Sequence, residues 1–568
     1  MTQTSTGPTE SSGVEHMKWW GWGLEDVSFH HEDKPALAPF VRKVIDLDLD
    51  AHPTPVSDFT SLQVPESRCT DDLAELLTSA VGAEHVHTDG YERVLHAYGK
   101  SLRDLVRVRA GELPRVPDVV VYPGSEEDVT AVMTAALAVD AVVIPFGGGT
   151  NISGSLEADP SEQRPIVSVD MGRMNRVLDI DPDSQLARVQ PGVLGPDLEE
   201  QLGAAGWTLG HYPDSFTHST LGGWIATRSS GMQSDKYGDI SEITRAVRVV
   251  TPDGTLVTRA VPSTSTGPSV REMVLGSEGR LGIITEATVQ VHRLPAKRVV
   301  LAYFFRDWDS ALDAMREIAA SDAAVSITRV SDANETAFSF ATRKAGGGVS
   351  SLVSKGLMEV LKRRGWHLDQ ICLSFIGYEG SDSYVLRNRR MVGRIVSRHG
   401  GIGVGSGPGT LYDQKKFDTP YIRDYLLDRG ALADVSETAA KWSQLLPLYR
   451  HVTSQANDTF ARLGVKGFIM CHLSHSYHSG ACLYFTFAFR PAAGSPPIEQ
   501  YDQVKSAVQQ GFLDSGGTLS HHHAVGLEHA RWMPEDISEP GVAMLAGLFA
   551  AVDPGRNLNP GKVVPATD

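Results

Sequence analysis

Three consecutive glycines, Gly147, Gly148 and Gly149, stand in the segment PFGGGTNISG, directly after the apolar residues 141–146. Glycine lets the backbone adopt conformations that other residues avoid. Consecutive glycines also leave room for a ligand to approach the backbone N–H groups, which together bind anions. A diphosphate fits this arrangement, although a plain glycine-rich loop would have the same composition.

Two further loops rich in small residues follow in the same part of the chain. Residues 211–240 contain four glycines and many serines and threonines, and loops of this length are usually functional or disordered. Trp224, Ile225 and Met232 within this loop argue against disorder. Residues 276–291 form a glycine-rich turn that continues into a predicted strand. Three such loops in one domain fit a long cofactor that has a diphosphate and a flat ring.

Two common nucleotide-binding motifs are absent from the sequence. There is no GxxxxGK[ST] segment, and no GxGxxG opens a helix with an acidic residue about twenty positions later. The sequence therefore supports neither a P-loop kinase nor a Rossmann-type dehydrogenase.

The helices and strands expected around these loops indicate two α+β domains. From Pro117 onward, a strand, a helix with Ser125 as its N-cap, and a second strand are followed by short strands separated by turns. This pattern predicts an α+β domain over residues 113–297. Beyond it, strand-like runs alternate with helices, which predicts a second α+β domain with an antiparallel sheet over residues 298–568, including the C-terminal histidines.

The remaining residues, 1–112, are predicted to be a lead-in with a helical segment. Residues 1–16 are rich in threonine, serine and glycine and are expected to be disordered. Trp19, Trp20 and Trp22 will seek burial, so their segment should dock on the body of the protein. The pattern over residues 72–108 is helical.

Composition limits the classes of partner. The chain has 52 Lys and Arg against 69 Asp and Glu, a formal charge of −17, which argues against a nucleic-acid-binding protein. Four cysteines without a CxxC motif indicate a reducing compartment and no structural disulfides. With no secretory signal or membrane-spanning stretch in view, a cytoplasmic enzyme is predicted.

Residues 349–366 are amphipathic and fit either a core helix or contact with a membrane surface.

The order of PFGGGT, PDS with STLGGW, GSEGRLGIITEAT and NPGK resembles the FAD-binding domain of the vanillyl-alcohol-oxidase type. MKWWGWG, SITRVSD, PYIRD, GACLYFTFAF and SHHH make nearly the whole chain similar to one of its families, the alkyldihydroxyacetonephosphate synthases. The resemblance implies a two-lobed FAD-binding domain, an α+β cap domain with an antiparallel sheet, and a homodimer. The cofactor contacts that it implies are Pro145, Gly147, Gly148, Gly149, Thr150, Asn151, Asp214, Ser215, Thr220, Gly222, Gly223, Glu278, Gly279 and Ile283.

The same resemblance implies non-covalent FAD. Many relatives attach the flavin through histidine or cysteine, but residues 145–154 contain neither. His218 departs from the family pattern, which has an aromatic residue there. Two interpretations of His218 stay open: it is the point of covalent attachment of the flavin, or it is an ordinary polar residue of the loop. No metal is assigned.

The reaction implied by the resemblance exchanges the acyl chain of 1-acyl-glycerone 3-phosphate for a long-chain fatty alcohol, giving an ether lipid precursor without net redox. It needs a base, a phosphate clamp and an apolar tunnel. Tyr484 matches the essential tyrosine of the family. Because a phenol titrates near ~10, it needs a partner at neutral pH, and histidine is best suited. The resemblance implies His521, His522 and His523 as the catalytic partners of Tyr484.

Two arginines match positions that the family uses in its active site, Arg329 and Arg423, and we expect them to bind the substrate phosphate. Each of these assignments has a purely structural or incidental alternative. The alternatives are an arginine in an ordinary salt bridge, a tyrosine that is simply part of a strand, and a histidine run that faces solvent or binds a metal. His472 stands where the family has an arginine, which leaves the identity of the substrate open.

A second function stays open beside the first. FAD-linked 2-hydroxy-acid dehydrogenases of the D-lactate or glycolate type share the flavin domain, but they typically carry GHxGDGNxH, where this chain has CHLSHSYHSGACLYF. His472, His475 and His478 could still bind a metal of another kind. A flavin-binding protein without catalysis is the third alternative, against which Tyr484 and the three histidines argue.

Overall fold

The computed structural model describes residues 14–344, 358–359, 361–409, 417 and 419–565. The strands are β1 (Val86–His87), β2 (Val119–Val121), β3 (Val142–Phe146), β4 (Ile166–Asp170), β5 (Val177–Asp181), β6 (Leu186–Val189), β7 (Trp207–Thr208), β8 (Thr244–Thr251), β9 (Gly254–Val257), β10 (Ile283–Gln290), β11 (His292–Arg293), β12 (Lys297–Phe305), β13 (Ile327–Ser331), β14 (Cys372–Gly380), β15 (Ile402–Gly405), β16 (Leu432–Lys441), β17 (Gly467–Ser476) and β18 (Gly480–Phe489).

The α-helices cover Leu37–Ile45, Asp71–Val81, Gly90–Leu95, Leu102–Arg109, Glu126–Ala138, Gly195–Ala204, Leu221–Thr227, Ser234–Tyr237, Ile240–Ile243, Val270–Val274, Trp308–Ala319, Ala333–Ala341, Asp382–Arg398, Thr419–Leu427, Trp442–Leu463, Pro497–Asp514 and Met533–Val552. Short 3-10 helices cover Phe59–Ser61, Ala83–His85 and Ala530–Trp532.

The first lobe is built on a four-stranded sheet in the order β1-β2-β4-β3, in which β2, β4 and β3 run parallel. These strands are apolar and almost wholly buried, as parallel strands covered on both faces must be. Helix Glu126–Ala138 connects β2 to β3, and the Ser125 side chain caps it by accepting from the backbone N–H of Asp128, as the sequence predicts. The triple glycine therefore follows the carboxyl end of β3, an outer strand of this parallel set.

The second lobe is a five-stranded antiparallel sheet in the order β5-β6-β10-β8-β9. A hairpin turn at Pro252, Asp253 and Gly254 joins β8 to β9. The two sheets are the two lobes expected from the sequence, and the predicted small-residue loops lie at their ends.

The cap is a seven-stranded antiparallel sheet in the order β15-β12-β14-β13-β17-β18-β16. Along β18, successive side chains point to opposite faces. Phe485 and Phe489 join the core cluster with residues of helices Trp308–Ala319, Trp442–Leu463 and Pro497–Asp514. Tyr484, Thr486 and Ala488 instead face a cavity. The alternation thus separates a structural face from a functional face.

Segments near both ends of the described chain pack on the body of the protein. Trp19 and Trp22 are buried, which confirms the expected docking of their segment. Near the other end, Leu558 forms a parallel bridge with Val143 of β3. The domain boundaries at 112/113 and 297/298 remain predictions, and this bridge ties C-terminal residues of the third segment to the second.

The prediction of helical structure over residues 72–108 is wrong in one respect. The structure has three separate helices there, and β1 lies between the first and the second. Gly82, with a φ of +89°, ends the first helix, and the side chains of Asp89 and Ser101 cap the next two. The first thirteen residues and most of the amphipathic stretch 349–366 lie outside the described residues. Within the described ranges, no helix combines the length and apolar character needed to cross a bilayer.

Candidate active site

A cavity of about 330 Å³ is lined by loops of both lobes and by strands β16, β17 and β18 of the cap. Every residue that the sequence predicts as a cofactor contact lines it: Pro145, Gly147, Gly148, Gly149, Thr150, Asn151, Asp214, Ser215, Thr220, Gly222, Gly223, Glu278, Gly279 and Ile283. Loops that are far apart in the sequence therefore line one cavity. Their individual contacts to a bound cofactor stay predictions.

The triple glycine packs directly against the loop that carries His218. A Cβ atom on Gly148 would lie 1.7 Å from the carbonyl oxygen of His218, closer than any side chain allows. Gly149 has a φ of +65°, and a Cβ there would lie 2.7 Å from the ring of Phe146. A side chain at position 148 would separate the two loops, and one at position 149 would displace the Phe146 ring. The residues present therefore fit a diphosphate-containing cofactor.

Glu278 has a structural task in addition to lining the cavity. Its buried carboxylate accepts hydrogen bonds from the Ser155 hydroxyl and from the backbone N–H groups of Val525 and Gly526 (2.9 and 3.0 Å). Burial raises the pKa of Glu278, and these hydrogen bonds oppose the rise. The side chain thereby ties the 276–291 loop to the segment that follows the three histidines.

Tyr484 lies at the cap end of the cavity among three imidazole rings. It pairs in register with His472 on β17, and the two rings stack with centroids 4.8 Å apart. The ring centroids of His522 and His523 lie 6.0 and 5.3 Å from that of Tyr484. Burial, with the nearby carboxylates of Asp214 and Glu437, raises the pKa of Tyr484 well above its usual value. The phenol therefore holds its proton at neutral pH.

Glu437 holds the histidine loop, and the sequence reasoning missed it. This fully buried carboxylate accepts from the backbone N–H groups of His521, His522 and His523 at 2.7–3.0 Å and from the Ser520 hydroxyl at 2.8 Å. Although burial favours its protonated form, the adjacent histidines hold its pKa well below the usual range. No local motif could reveal it, because its position depends on the pairing of β16 with β18.

Burial lowers the pKa of His522 to about 3 and that of His523 to about 4, so both rings are neutral at pH 7. Each ring has its Nδ1 atom 3.6 Å from a carboxylate oxygen of Glu437. Both rings line the cavity. A proton that arrives on either imidazole would be stabilised by that anion.

His521 is placed differently from its two neighbours, since it does not line the cavity. Its Nε2 atom lies 2.6 Å from the hydroxyl of Tyr477, which donates to Asp239 at 2.7 Å. Because the hydroxyl proton is committed to Asp239, Nε2 of His521 must be the donor to Tyr477. Nδ1 of a neutral His521 then accepts from Nδ1–H of His522. This chain leaves Nε2 of His522 as a proton acceptor.

The two predicted phosphate ligands also differ in their surroundings. Arg329 lines a small neighbouring cavity and pairs with Glu335 at 2.7 Å and with His472 at 3.1 Å. Arg423 lines the main cavity, and its Nη1 donates to the carbonyl of Lys100 at 2.6 Å. Among the described residues, the buried Nε of Arg423 has no hydrogen-bond partner.

The metal site considered for the alternative function does not form in the described part of the chain. His478 is exposed, and the candidate metal-binding groups do not include His472, His475 and His478. Ligating atoms of Glu437, Cys482, His521 and His522 do lie within 4.8 Å of one another. In that group, Glu437 is the acceptor that holds the histidine loop, as described above.

His218, the alternative point of covalent attachment, packs edge-on against Trp22 with ring centroids 5.8 Å apart. It is not among the residues that line the cavity, whereas Trp22 is. Non-covalent binding of the cofactor stays a prediction.

Comparison with known proteins connects this geometry to a family. Residues 117–259 match the family of FAD binding domains, and residues 294–563 match the C-terminal domain of FAD linked oxidases. Alkyldihydroxyacetonephosphate synthase of Dictyostelium discoideum is 37% identical over 577 residues, covering 97% of this chain and 94% of that protein. The synthase of Trypanosoma brucei brucei is 35% identical, covering 98% of this chain and 94% of that protein.

A solved structure of an alkyldihydroxyacetonephosphate synthase superposes on this chain with a TM-score of 0.84 at 35% identity, covering 96% of this chain and 99% of the other. These matches confirm the predicted fold, a two-lobed FAD-binding domain with an α+β cap, and FAD as the cofactor. They give less support to the 2-hydroxy-acid dehydrogenase alternative. The chain belongs to the alkyldihydroxyacetonephosphate synthase family of FAD-dependent enzymes.

Proposed function

We propose that this enzyme exchanges the acyl chain of 1-acyl-glycerone 3-phosphate for a long-chain fatty alcohol, forming an ether lipid precursor without net redox. One observation carries the proposal: the Tyr484 phenol lies beside His472, His522 and His523, and it lines the same cavity as the glycine cradle. When bound, FAD would supply an electron-poor ring as the electrophile for the three-carbon unit.

In this proposal the proton at C1 passes to an imidazole. His522 is neutral, its Nε2 is free of the relay through His521, and Glu437 stabilises the charge that forms. Tyr484 keeps its proton at neutral pH, donates it to the oxygen of the departing acyl chain and, as the phenolate, takes up the proton that the entering alcohol loses. The assignment gives His522 the role of base and Tyr484 that of acid.

Arg423 is the proposed phosphate ligand. Arg423 lines the cavity, and within the described part of the chain its Nε has no hydrogen-bond partner, so its guanidinium keeps donor capacity for an anion. Arg329 is proposed to act mainly through its pairing with Glu335 and His472, which orders the residue stacked on Tyr484. Apolar side chains of the same cavity would hold the alkyl chain: Phe338, Ile422, Leu426, Phe468 and Met470.

The testing experiment incubates the purified enzyme with acyl-glycerone phosphate and a labelled long-chain alcohol, with no electron acceptor present. Release of fatty acid together with incorporation of the label into an ether is the expected result. Oxidation of D-lactate or glycolate that depends on an added acceptor, with no exchange, would instead establish the alternative function.

Three further properties belong to the same proposal. The enzyme is a homodimer, it acts in the cytoplasm, and it reaches its lipid substrate through peripheral contact with a membrane surface. Light scattering of the purified protein tests the dimer, and co-sedimentation with phospholipid vesicles tests the contact. A monomer in light scattering would contradict the dimer. Protein that stays in the supernatant would contradict the membrane contact.

A further inference from the structure

The side chains of His16, His96 and Asp170 meet on the first lobe, and none of them lines the catalytic cavity. His16 belongs to the N-terminal segment, His96 follows helix Gly90–Leu95, and Asp170 ends β4. His96 and Asp170 are fully buried, while the side chain of His16 is 11% exposed. The cluster plays no part in the function proposed above.

Both imidazoles point to the same carboxylate oxygen. Nε2 of His16 lies 2.8 Å from Oδ2 of Asp170, and Nε2 of His96 lies 3.0 Å from it. The ligating atoms of all three residues fall within 4.8 Å of one another. Two imidazole nitrogens and one carboxylate oxygen form a ligand set that zinc uses in proteins.

The outward-facing ring nitrogens are held by the backbone. Nδ1 of His96 donates to the carbonyl of Glu92 at 2.8 Å. His16 has a hydrogen bond to the backbone of Val14, and since its Nε2 faces Asp170, we assign this bond to Nδ1. Oδ1 of Asp170 accepts from the N–H of Gly172 at 2.6 Å. Metal-binding histidines almost always donate their other N–H in this way, which directs the Nε2 lone pair to the ion.

The charges around the cluster suit a divalent cation. Besides Asp170, the carboxylate of Glu92 lies 3.7 Å from Nδ1 of His96 and accepts from the Tyr122 hydroxyl at 2.7 Å. Two carboxylates balance the charge of one divalent ion. We propose that His16, His96 and Asp170 bind one Zn²⁺, with water as the fourth ligand.

The ion would fasten the N-terminal segment to the first lobe. Val14 packs so closely on the backbone that a Cβ atom on Gly172 would lie 2.5 Å from its Cγ1. The chain then continues through the buried Trp19 to Trp22, which lines the catalytic cavity. Zinc at this position thus supports one wall of the active site without touching the reactants.

The test uses the full-length holoenzyme, treated with a chelator, dialysed and titrated with Zn²⁺ alone. His16→Gln is the diagnostic variant, because glutamine can still donate to Asp170 but is a poor zinc ligand. Cys482→Ser is the matched control, since it disrupts the other cluster of ligating atoms. Circular dichroism and FAD content verify that each variant is folded.

We expect the wild type and Cys482→Ser to bind one Zn²⁺ at the His16 site and to gain a higher denaturation midpoint with the ion. His16→Gln should lose at least about tenfold in that affinity, together with the zinc-dependent midpoint shift. Equal zinc affinity in His16→Gln and the wild type would overturn the proposal. So would zinc binding that disappears only in Cys482→Ser, or a wild type that binds no zinc.

Discussion

The Nδ1 atoms of His521 and His522 lie 2.9 Å apart, and this contact decides which nitrogen of His522 can accept a proton. His521 uses its Nε2–H to reach Tyr477, which in turn donates to Asp239. In neutral rings His522 must then be the donor across the Nδ1 contact, with Nε2 as its basic nitrogen. His521 is therefore a positioning residue, although the sequence places it in line with the other two histidines.

Replacing Tyr477 by phenylalanine should lower kcat of the exchange reaction by about tenfold or more, because His522 loses its enforced tautomer and acid–base catalysis is worth about 10²–10⁴-fold. Tyr477 does not line the cavity, so FAD content and KM should remain close to the wild-type values. Steady-state kinetics over a pH series measures the effect.

The matched control is Tyr449→Phe, which also loses a tyrosine–aspartate hydrogen bond, the 3.0 Å bond to Asp332. Equal kcat values and equal pH profiles in the two variants would refute the relay.

Tyr484→Phe removes only a hydroxyl from the stack with His472. We expect kcat to fall about 10²–10⁴-fold, since the acid is lost. The flavin absorbance spectrum and the denaturation midpoint should stay as in the wild type, because the ring still packs. Retention of a tenth or more of the activity would show that another group supplies the proton.

Gly148→Ala should yield protein with little bound FAD, because the new methyl group would lie 1.7 Å from the His218 carbonyl oxygen and force the two loops apart. Gly203→Ala is its control, since a Cβ on Gly203 meets nothing within 4 Å and the residue lies in helix Gly195–Ala204. The ratio of flavin to protein absorbance measures the difference. A fully loaded Gly148→Ala protein would contradict the cradle.

Stability should fall as the pH drops from about 6.5 to about 4, through titration of the buried histidines. Burial lowers the pKa of His211 to about 4, and its side chain is only 1% exposed. Over this window the unfolded chain binds a proton that the folded chain does not, so the free energy of unfolding decreases with decreasing pH. His211 alone contributes on the order of 3 kcal/mol to that decrease.

Urea unfolding at several pH values measures this dependence. His211→Gln should show a shallower decrease than the wild type, whereas His478→Gln, at an exposed position, should not. An identical slope in the wild type and His211→Gln would exclude the assignment.

Much of the FAD-binding domain could be predicted from local sequence. The Ser125 cap, the turn at Gly254 and the glycines after β3 are each determined by residues that are neighbours in the chain. The requirement for glycine at position 148 is different, because it comes from contact with the carbonyl of His218 on a loop distant in the sequence. The division of residues 72–108 into three helices could also have been predicted from local sequence, namely from the capping residues Asp89 and Ser101. The periodic apolar pattern of this stretch obscures those signals.

The sequence by itself determined the fold type, the cofactor loops and the residue types of the catalytic end, because these depend on chain-local geometry and on motifs. Only the tertiary structure decided that Glu437, 85 residues before His522, anchors the histidine loop, and that His16 meets Asp170. Strand register and terminus docking bring such residues together. Their energies come from contacts whose partners no local pattern specifies.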